Sequence, residues 1–395
     1  MPADACAGMG MEEDDDLGGR MTNTDLEKTI ADITRMSARD GKTETPEAPQ
    51  APAQGADTAG ASRKDPAEHA RFNQKELKRE VSEISRMASV IHETLNTFIV
   101  GNQQVIDLIL IALLNEGHIL VEGVPGTAKT TIAKSIALIT GCGFNRIQGA
   151  VDIQPADMLG VRIYDTNKKE FVLRKGPVFT NFLLVDEINR INPKAQSAFI
   201  EAMSERQVTL DGITLPMQSP FFVIATQNPH EFEGTFPLIE VQRDRFMFSI
   251  RSDYLSAEEE LAIIRRASSG QLYWDTFSKS LTPILSPHII RNHIIAVRQI
   301  VVEDPVLQYI RDLVIATRNH PDIELGGSTR ASLALVSGAK TLAALNNRTY
   351  VIPDDVKNIA KATLAHRIVL ARDAQVEGVT RGQVLEEILT KVEVL

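Results

Sequence analysis

The run Gly123-Val124-Pro125-Gly126-Thr127-Ala128-Lys129-Thr130 constrains the fold more than any other, because it sits between an apolar segment and a stretch of helix-compatible spacing. In a loop of this kind glycines let backbone N–H groups turn inward around a phosphate chain. A lysine then reaches the β- and γ-phosphates, and a hydroxyl holds Mg²⁺. Lys129 and Thr130 fill those last two positions, with Thr131 following. The usual pattern has glycine directly before the lysine, where this chain has Ala128. The loop alone therefore does not decide the matter.

Two later runs do. Phe182-Leu183-Leu184-Val185 ends in Asp186-Glu187, as expected where a fully buried parallel strand delivers acids to its C-terminal edge. Asp186 would join Thr130 in the Mg²⁺ shell, and Glu187 would orient and polarise the attacking water. Phe221 to Thr226 reads as another such strand and ends in Gln227-Asn228-Pro229. An amide there can hydrogen-bond both γ-phosphate and water without the charge that would repel either. Further strands are expected at 118–122, 144–148 and 246–250, with helical spacing between most of them, which predicts a parallel α/β sheet. After about Ser252 only helical periodicity continues, predicting an all-α lid.

With these motifs in this order the chain resembles an AAA+ P-loop ATPase, and the words around them resemble the MoxR family. The resemblance rests on Gly117 to Thr130, Asp186-Glu187-Ile188-Asn189-Arg190, Pro193 to Val208, Ala225 to Pro229, Gln242-Arg243-Asp244-Arg245-Phe246, Ala316 to Pro321 and Gly326 to Ser332. It spans about residues 78 to 395, and the family's own loop is similar to Gly-x-Pro-Gly-x-Ala-Lys-Thr, so Ala128 conforms. The resemblance implies ATP and Mg²⁺ as cofactors, Val100 against the adenine, and Val124 to Ala128 around the phosphates. It implies Arg245 as the arginine offered to a neighbouring subunit's γ-phosphate, and Arg330 as the lid arginine that contacts the bound nucleotide. Arg243 stands where the family more often has leucine, so Arg243 and Arg190 remain alternatives for the finger. After Gln148 the family usually carries an aromatic and a proline, whereas this chain reads Gly149-Ala150-Val151.

The resemblance also implies a homo-oligomeric ring, expected to be hexameric. Its role would be chaperone-like, remodelling a client protein to mature or activate it, often alongside a von Willebrand A domain protein. Two alternatives stand beside it: a nucleic-acid translocase, and a nucleotide-gated scaffold with little turnover. Asn167-Lys168-Lys169-Glu170 departs from the guanine-reading Asn-Lys-x-Asp and lies in a hairpin loop, which favours ATP over GTP.

The organisation expected is a tail over 1–72, an ATPase core over 73–252 and a lid over 253–395. The tail holds the acidic block Glu12 to Asp16 and a Pro/Ala-rich stretch, too little apolar surface to offset ordering entropy. Leu26, Ile30, Ile33 and Met36 nevertheless fall at helical spacing. Two hairpins are expected to interrupt the core, one from Val161 to Leu173 and one around Asp211-Gly212. A net charge of −10 argues against a duplex-binding surface, although Arg162, Lys168, Lys169 and Arg174 concentrate positive charge in the first hairpin. No apolar run reaches membrane-spanning length, no signal peptide is visible, and two cysteines give no disulfide framework. These features lead us to expect a cytoplasmic protein.

Overall fold

The computed structural model describes residues 72–123, 129–228, 234–252, 255–270 and 272–394. The expected tail, apart from Phe72, lies outside the described residues, as do Val124 to Ala128 of the phosphate loop.

Helix α1 (Gln74–Asn96) begins at Asn73, whose side chain accepts the Glu76 N–H while Glu76 accepts the Asn73 N–H in return. This reciprocal cap fixes the helix start. Val81, Ile84, Met87, Ile91 and Leu95 form its buried face. The chain then runs through α2 (Gln103–Leu113), β1 (Ile119–Gly123), α3 (Lys129–Ile139), β2 (Phe144–Gln148) and the short α4 (Pro155–Leu159). A hairpin of β3 (Gly160–Asp165) and β4 (Glu170–Lys175) leads to β5 (Phe182–Asp186) and α5 (Pro193–Glu205). A second hairpin, β6 (Gln207–Leu210) with β7 (Ile213–Pro216), precedes β8 (Phe222–Gln227), α6 (Glu240–Arg243) and β9 (Phe248–Ser252).

Five strands form one parallel sheet in the order β2-β5-β8-β1-β9. All five residues of β5 are buried, because helices cover both faces of a parallel sheet and no position along a central strand meets water. On one face Leu183, Val185, Val223 and Ala225 pack with Phe199 and Met203 of α5. Both hairpins form as expected, the second turning on Asp211 (φ 50°) and Gly212 (φ 78°), a left-handed pair that suits a tight connection.

The remaining elements are mostly helical: α7 (Ala257–Ser268), α8 (Trp274–Ser280), α9 (Pro287–Arg298), α10 (Asp304–Asn319), α11 (Thr329–Leu345), α12 (Pro353–Leu364), α13 (Arg372–Val376) and α14 (Arg381–Lys391). The all-α expectation needs one correction, since β10 (Ile323–Leu325) pairs antiparallel with β11 (Val369–Leu370). Strands this short have no room for a period-2 pattern to show. Helix α1 packs against α9 and α11, and the buried Glu80 carboxylate meets His293 Nδ1 of α9 at 3.1 Å.

Candidate nucleotide-binding site

Parallel pairing puts the C-terminal ends of β1, β2, β5 and β8 along one edge of the sheet, where open α/β folds bind ligands. Gly123 closes β1 and Lys129 opens α3. The Lys129 ammonium donates to Gly123 O at 3.3 Å. Burial holds its pKa below the ordinary lysine range, and the nearby Asp186 carboxylate partly opposes that shift.

Asp186 ends β5 and is buried. Its carboxylate accepts from Arg146 Nε at 2.6 Å and from Thr226 Oγ1 at 3.3 Å. The same Thr226 oxygen accepts the Glu187 N–H at 3.0 Å, so one β8 hydroxyl braces both acids. Glu187 has φ 55° and ψ 51°, an uncommon conformation for a non-glycine residue that costs on the order of 1 kcal/mol or more and gathers at functional sites. Its carboxylate accepts from Gln148 Nε2 at 2.9 Å and faces Arg190 Nε at 3.2 Å. Asn228 directly follows β8 at the same edge, and the neighbouring Gln227 amide donates to Glu122 at 2.7 Å.

Val100 precedes Gly101 (φ 71°) and Asn102 (φ 63°), two left-handed residues that turn the chain into α2. A Cβ on Gly101 would stand 2.5 Å from the Glu259 carboxylate of α7. The segment expected to meet adenine therefore lies against α7. An oxygen donor set of the Thr130 and Asp186 type suits Mg²⁺, and Asp186 already accepts a cationic partner in Arg146, so these residues fit the ion.

Arg245, expected at a neighbouring subunit's γ-phosphate, and the lid arginine Arg330 both lie away from the Lys129 of their own chain. Arg245 precedes β9, whose Phe248 pairs with Ile119 at the start of β1, while Lys129 follows the end of β1. Roughly 13 Å of strand separates those ends. Asp244 joins Arg330 at 3.6 Å, Ser328 Oγ at 3.0 Å and Arg367 Nε at 2.9 Å. Arg330, expected at the bound nucleotide, is thus placed by the Asp244 contacts on the opposite sheet edge from the Lys129 of its own chain. There Arg206, Arg245, Arg298, Arg330 and Arg367 line a cleft of about 430 Å³. Arg206 and Arg298 face the buried Glu116 carboxylate at 2.7 Å and 3.8 Å. Among the described residues, Arg245 has no ion-pair partner. Arg243 differs, pairing with Glu240 at 3.1 Å and only 14% exposed.

Comparison with known proteins agrees with this geometry. Residues 118–248 match the ATPase family associated with various cellular activities (AAA), and residues 315–388 match the AAA lid domain. The chain is 40% identical to Chaperone MoxR1 of Mycobacterium tuberculosis over 79% of its own length and 83% of that relative. The chain belongs to the MoxR family of AAA+ ATPases. It is also 42% identical to the uncharacterized protein YeaC of Bacillus subtilis, over 76% of this chain and 93% of YeaC. A crystal structure from Cytophaga hutchinsonii, provisionally described as an ATPase, superposes with a TM-score of 0.75 at 38% identity, covering 81% of this chain and 98% of that one.

Several residues of this MoxR-family site escaped the sequence reading. Arg146, Gln148 and Thr226 touch the acids although no motif marked them. Gly149 was visible only as a departure from the family. Its N–H donates to Asp186 O at 2.7 Å, and a Cβ there would stand 2.1 Å from Glu187 O. Glycine is what lets the backbone lie against the Asp186-Glu187 turn. No helix among the described residues is long and apolar enough to cross a membrane.

Proposed function

We propose that this chain is a Mg²⁺-dependent ATPase that works as a homo-oligomeric ring, hexameric in the simplest form, and remodels a client protein. In this reading the chain divides into a tail (1–72), an ATPase core (73–252) and a lid (253–395). The supporting observation is the split of the machinery between the two edges of one sheet. Lys129, Thr130, Asp186, Glu187 and Asn228 lie at one edge, and Arg245 with Arg330 lies at the other.

A single chain cannot bring both sets to one phosphate. When a second subunit presents its arginine edge to the first subunit's nucleotide edge, the γ-phosphate gains positive charge that stabilises the transition state. Thr130 and Asp186 would hold Mg²⁺, which neutralises the phosphate oxygens when bound. Glu187 polarises the attacking water, and Asn228 orients that water and the γ-phosphate. Arg245 is the better finger than Arg243, because Arg243 is enclosed and already paired.

The β3–β4 hairpin supplies a gripping surface. Ile163, Tyr164 and Phe171 are exposed, Tyr164 and Phe171 meet edge to face at 5.3 Å, and Arg162 lies over Phe171. Exposed apolar and aromatic side chains on this hairpin suit an unfolded client segment, and a von Willebrand A domain protein is the family-type partner. The same aromatic and cationic mixture would suit single-stranded nucleic acid, which is the second reading. Client remodelling predicts hydrolysis that single-stranded DNA and RNA leave unchanged, whereas a translocase would be stimulated several-fold.

Two substitutions test the ATPase assignment. Lys129→Ala removes the lysine at the phosphates, so ATP binding falls steeply. Glu187→Gln keeps shape but loses the carboxylate, so binding survives while turnover drops at least about a hundredfold. Calorimetric binding and phosphate release measure the two effects, with GTP as the control nucleotide. Equal loss of binding in both variants would contradict this division of roles.

A further inference from the structure

The acid expected to hold the metal already has a cationic partner. Arg146 projects from β2, is half exposed, and donates through Nε to Asp186 Oδ2 at 2.6 Å. Its other arm reaches along the same strand, where the second terminal nitrogen donates to Gln148 Oε1 at 2.9 Å. Gln148 in turn donates through Nε2 to the Glu187 carboxylate at 2.9 Å. One guanidinium is therefore tied both to the metal-binding acid and, through a single amide, to the catalytic acid.

Strand register explains the arrangement. Arg146 lies opposite Leu184 and Gln148 opposite Asp186 in the β2–β5 pairing. The two β2 residues are separated by one position, so their side chains leave the same face of the sheet. A long side chain at 146 can then reach forward to the acid at the strand end, beside the amide at 148. The short Nε–O distance fits a charge-assisted bond, and such bonds are roughly twice as strong as neutral ones.

We infer that Arg146 and Mg²⁺ are alternative partners of Asp186, so that Arg146 must leave the carboxylate before the metal–nucleotide complex is held there. Arg146 holds Asp186 Oδ2 and Thr226 donates to Oδ1, so a dication brought to the same carboxylate meets occupied oxygens and the repulsion of the guanidinium. Arg146 is thus a positioning residue: it keeps Asp186 aimed at the phosphate edge and raises the Mg²⁺ concentration needed to load the site. When it leaves Asp186, Gln148 also loses its anchor, and the restraint on Glu187 loosens as the metal arrives. The inference rests on the Mg²⁺–nucleotide reading proposed above.

The test uses the full-length chain, ADP, MgCl₂ and EDTA. Calorimetry measures ADP affinity across a MgCl₂ series in the parent protein, Arg146→Met and Arg146→Lys. Removing a half-exposed competitor lowers the half-effective MgCl₂ concentration by about fivefold in Arg146→Met. Arg146→Lys keeps the charge but loses the fork that spans Asp186 and Gln148, so its shift is smaller. The MgCl₂ dependence of ATP hydrolysis moves by the same factors. A purely structural Arg146 would give the opposite sign, because a misplaced Asp186 needs more metal. An unchanged or raised MgCl₂ requirement in Arg146→Met, with normal metal-dependent ADP binding in the parent, would overturn the inference alone. If MgCl₂ gave the parent no gain in ADP affinity, the nucleotide reading would fall, and the Arg146 inference with it.

Discussion

Asp244 joins the sheet edge to the lid, and replacing it with asparagine measures that connection. Arg367 is 3% exposed at its side chain and bonds Asp244 Oδ1 at 2.9 Å. Its remaining donors reach Phe246 O at 2.6 Å, Met247 O at 3.0 Å and Thr363 O. Burial lowers the Arg367 pKa while Asp244 raises it, so the carboxylate is the chief compensation for that charge. Breaking a buried pair by removing one partner costs about 3–5 kcal/mol. Asp244 is 18% exposed and the carbonyl contacts of Arg367 remain, which puts Asp244→Asn near the lower end, about 3 kcal/mol. The longer contact to Arg330, itself 55% exposed, adds under about 1 kcal/mol. Urea unfolding followed by circular dichroism reads the loss as a lower midpoint. A loss below about 1 kcal/mol would show that the carbonyl cage alone compensates Arg367 and would refute the electrostatic argument.

Two further predictions follow from close contacts. Gly149→Ala forces a Cβ against Glu187 O, which a Cβ would approach to 2.1 Å; we expect a loss of about 1–3 kcal/mol, and hydrolysis impaired more than ADP affinity, by calorimetry and phosphate release. Unchanged hydrolysis would mean that the Asp186-Glu187 turn tolerates displacement. His92 lies between Asp107 (2.7 Å) and Gln103 (2.7 Å), and its pKa is raised chiefly by the hydrogen bond to Asp107. A raised folded pKa means that this pair's stabilisation is full below about 6.5, the unfolded value, and is lost as pH rises through the folded value. The stability gap between the parent protein and His92→Gln should therefore be wider at pH 5.5 than at pH 9, and a gap independent of pH would contradict it.

Much of the sheet was legible because parallel strands buried on both faces leave continuous apolar runs, as at Phe182 to Val185 and Phe222 to Ala225. The ends of those runs carried the acids and the amide, so their meeting at one edge of the sheet could be read as well. The arginines were harder. The place of Arg330 follows from packing of the lid on Asp244, an acid whose partner Arg367 is 123 residues away. Pairings at that separation leave no periodic trace. Arg146 and Gln148 sit on an edge strand of mixed burial, where polar residues look solvated until the neighbouring strand's acids are placed beside them. The role of Gly149 depends on backbone carbonyls and could not be inferred from side-chain types.

The central claim, a site shared between subunits, is tested most directly by mixing two inactive variants. Arg245→Ala should bind ATP nearly as the parent does yet hydrolyse it on the order of 10³-fold more slowly, while Lys129→Ala keeps a sound arginine edge beside a dead pocket. Under subunit exchange, some interfaces join an intact pocket to an intact Arg245. The account predicts hydrolysis above the sum of the separate variants. No recovery, in a mixture shown by native mass spectrometry to contain mixed oligomers, would contradict Arg245 as the residue acting across the interface.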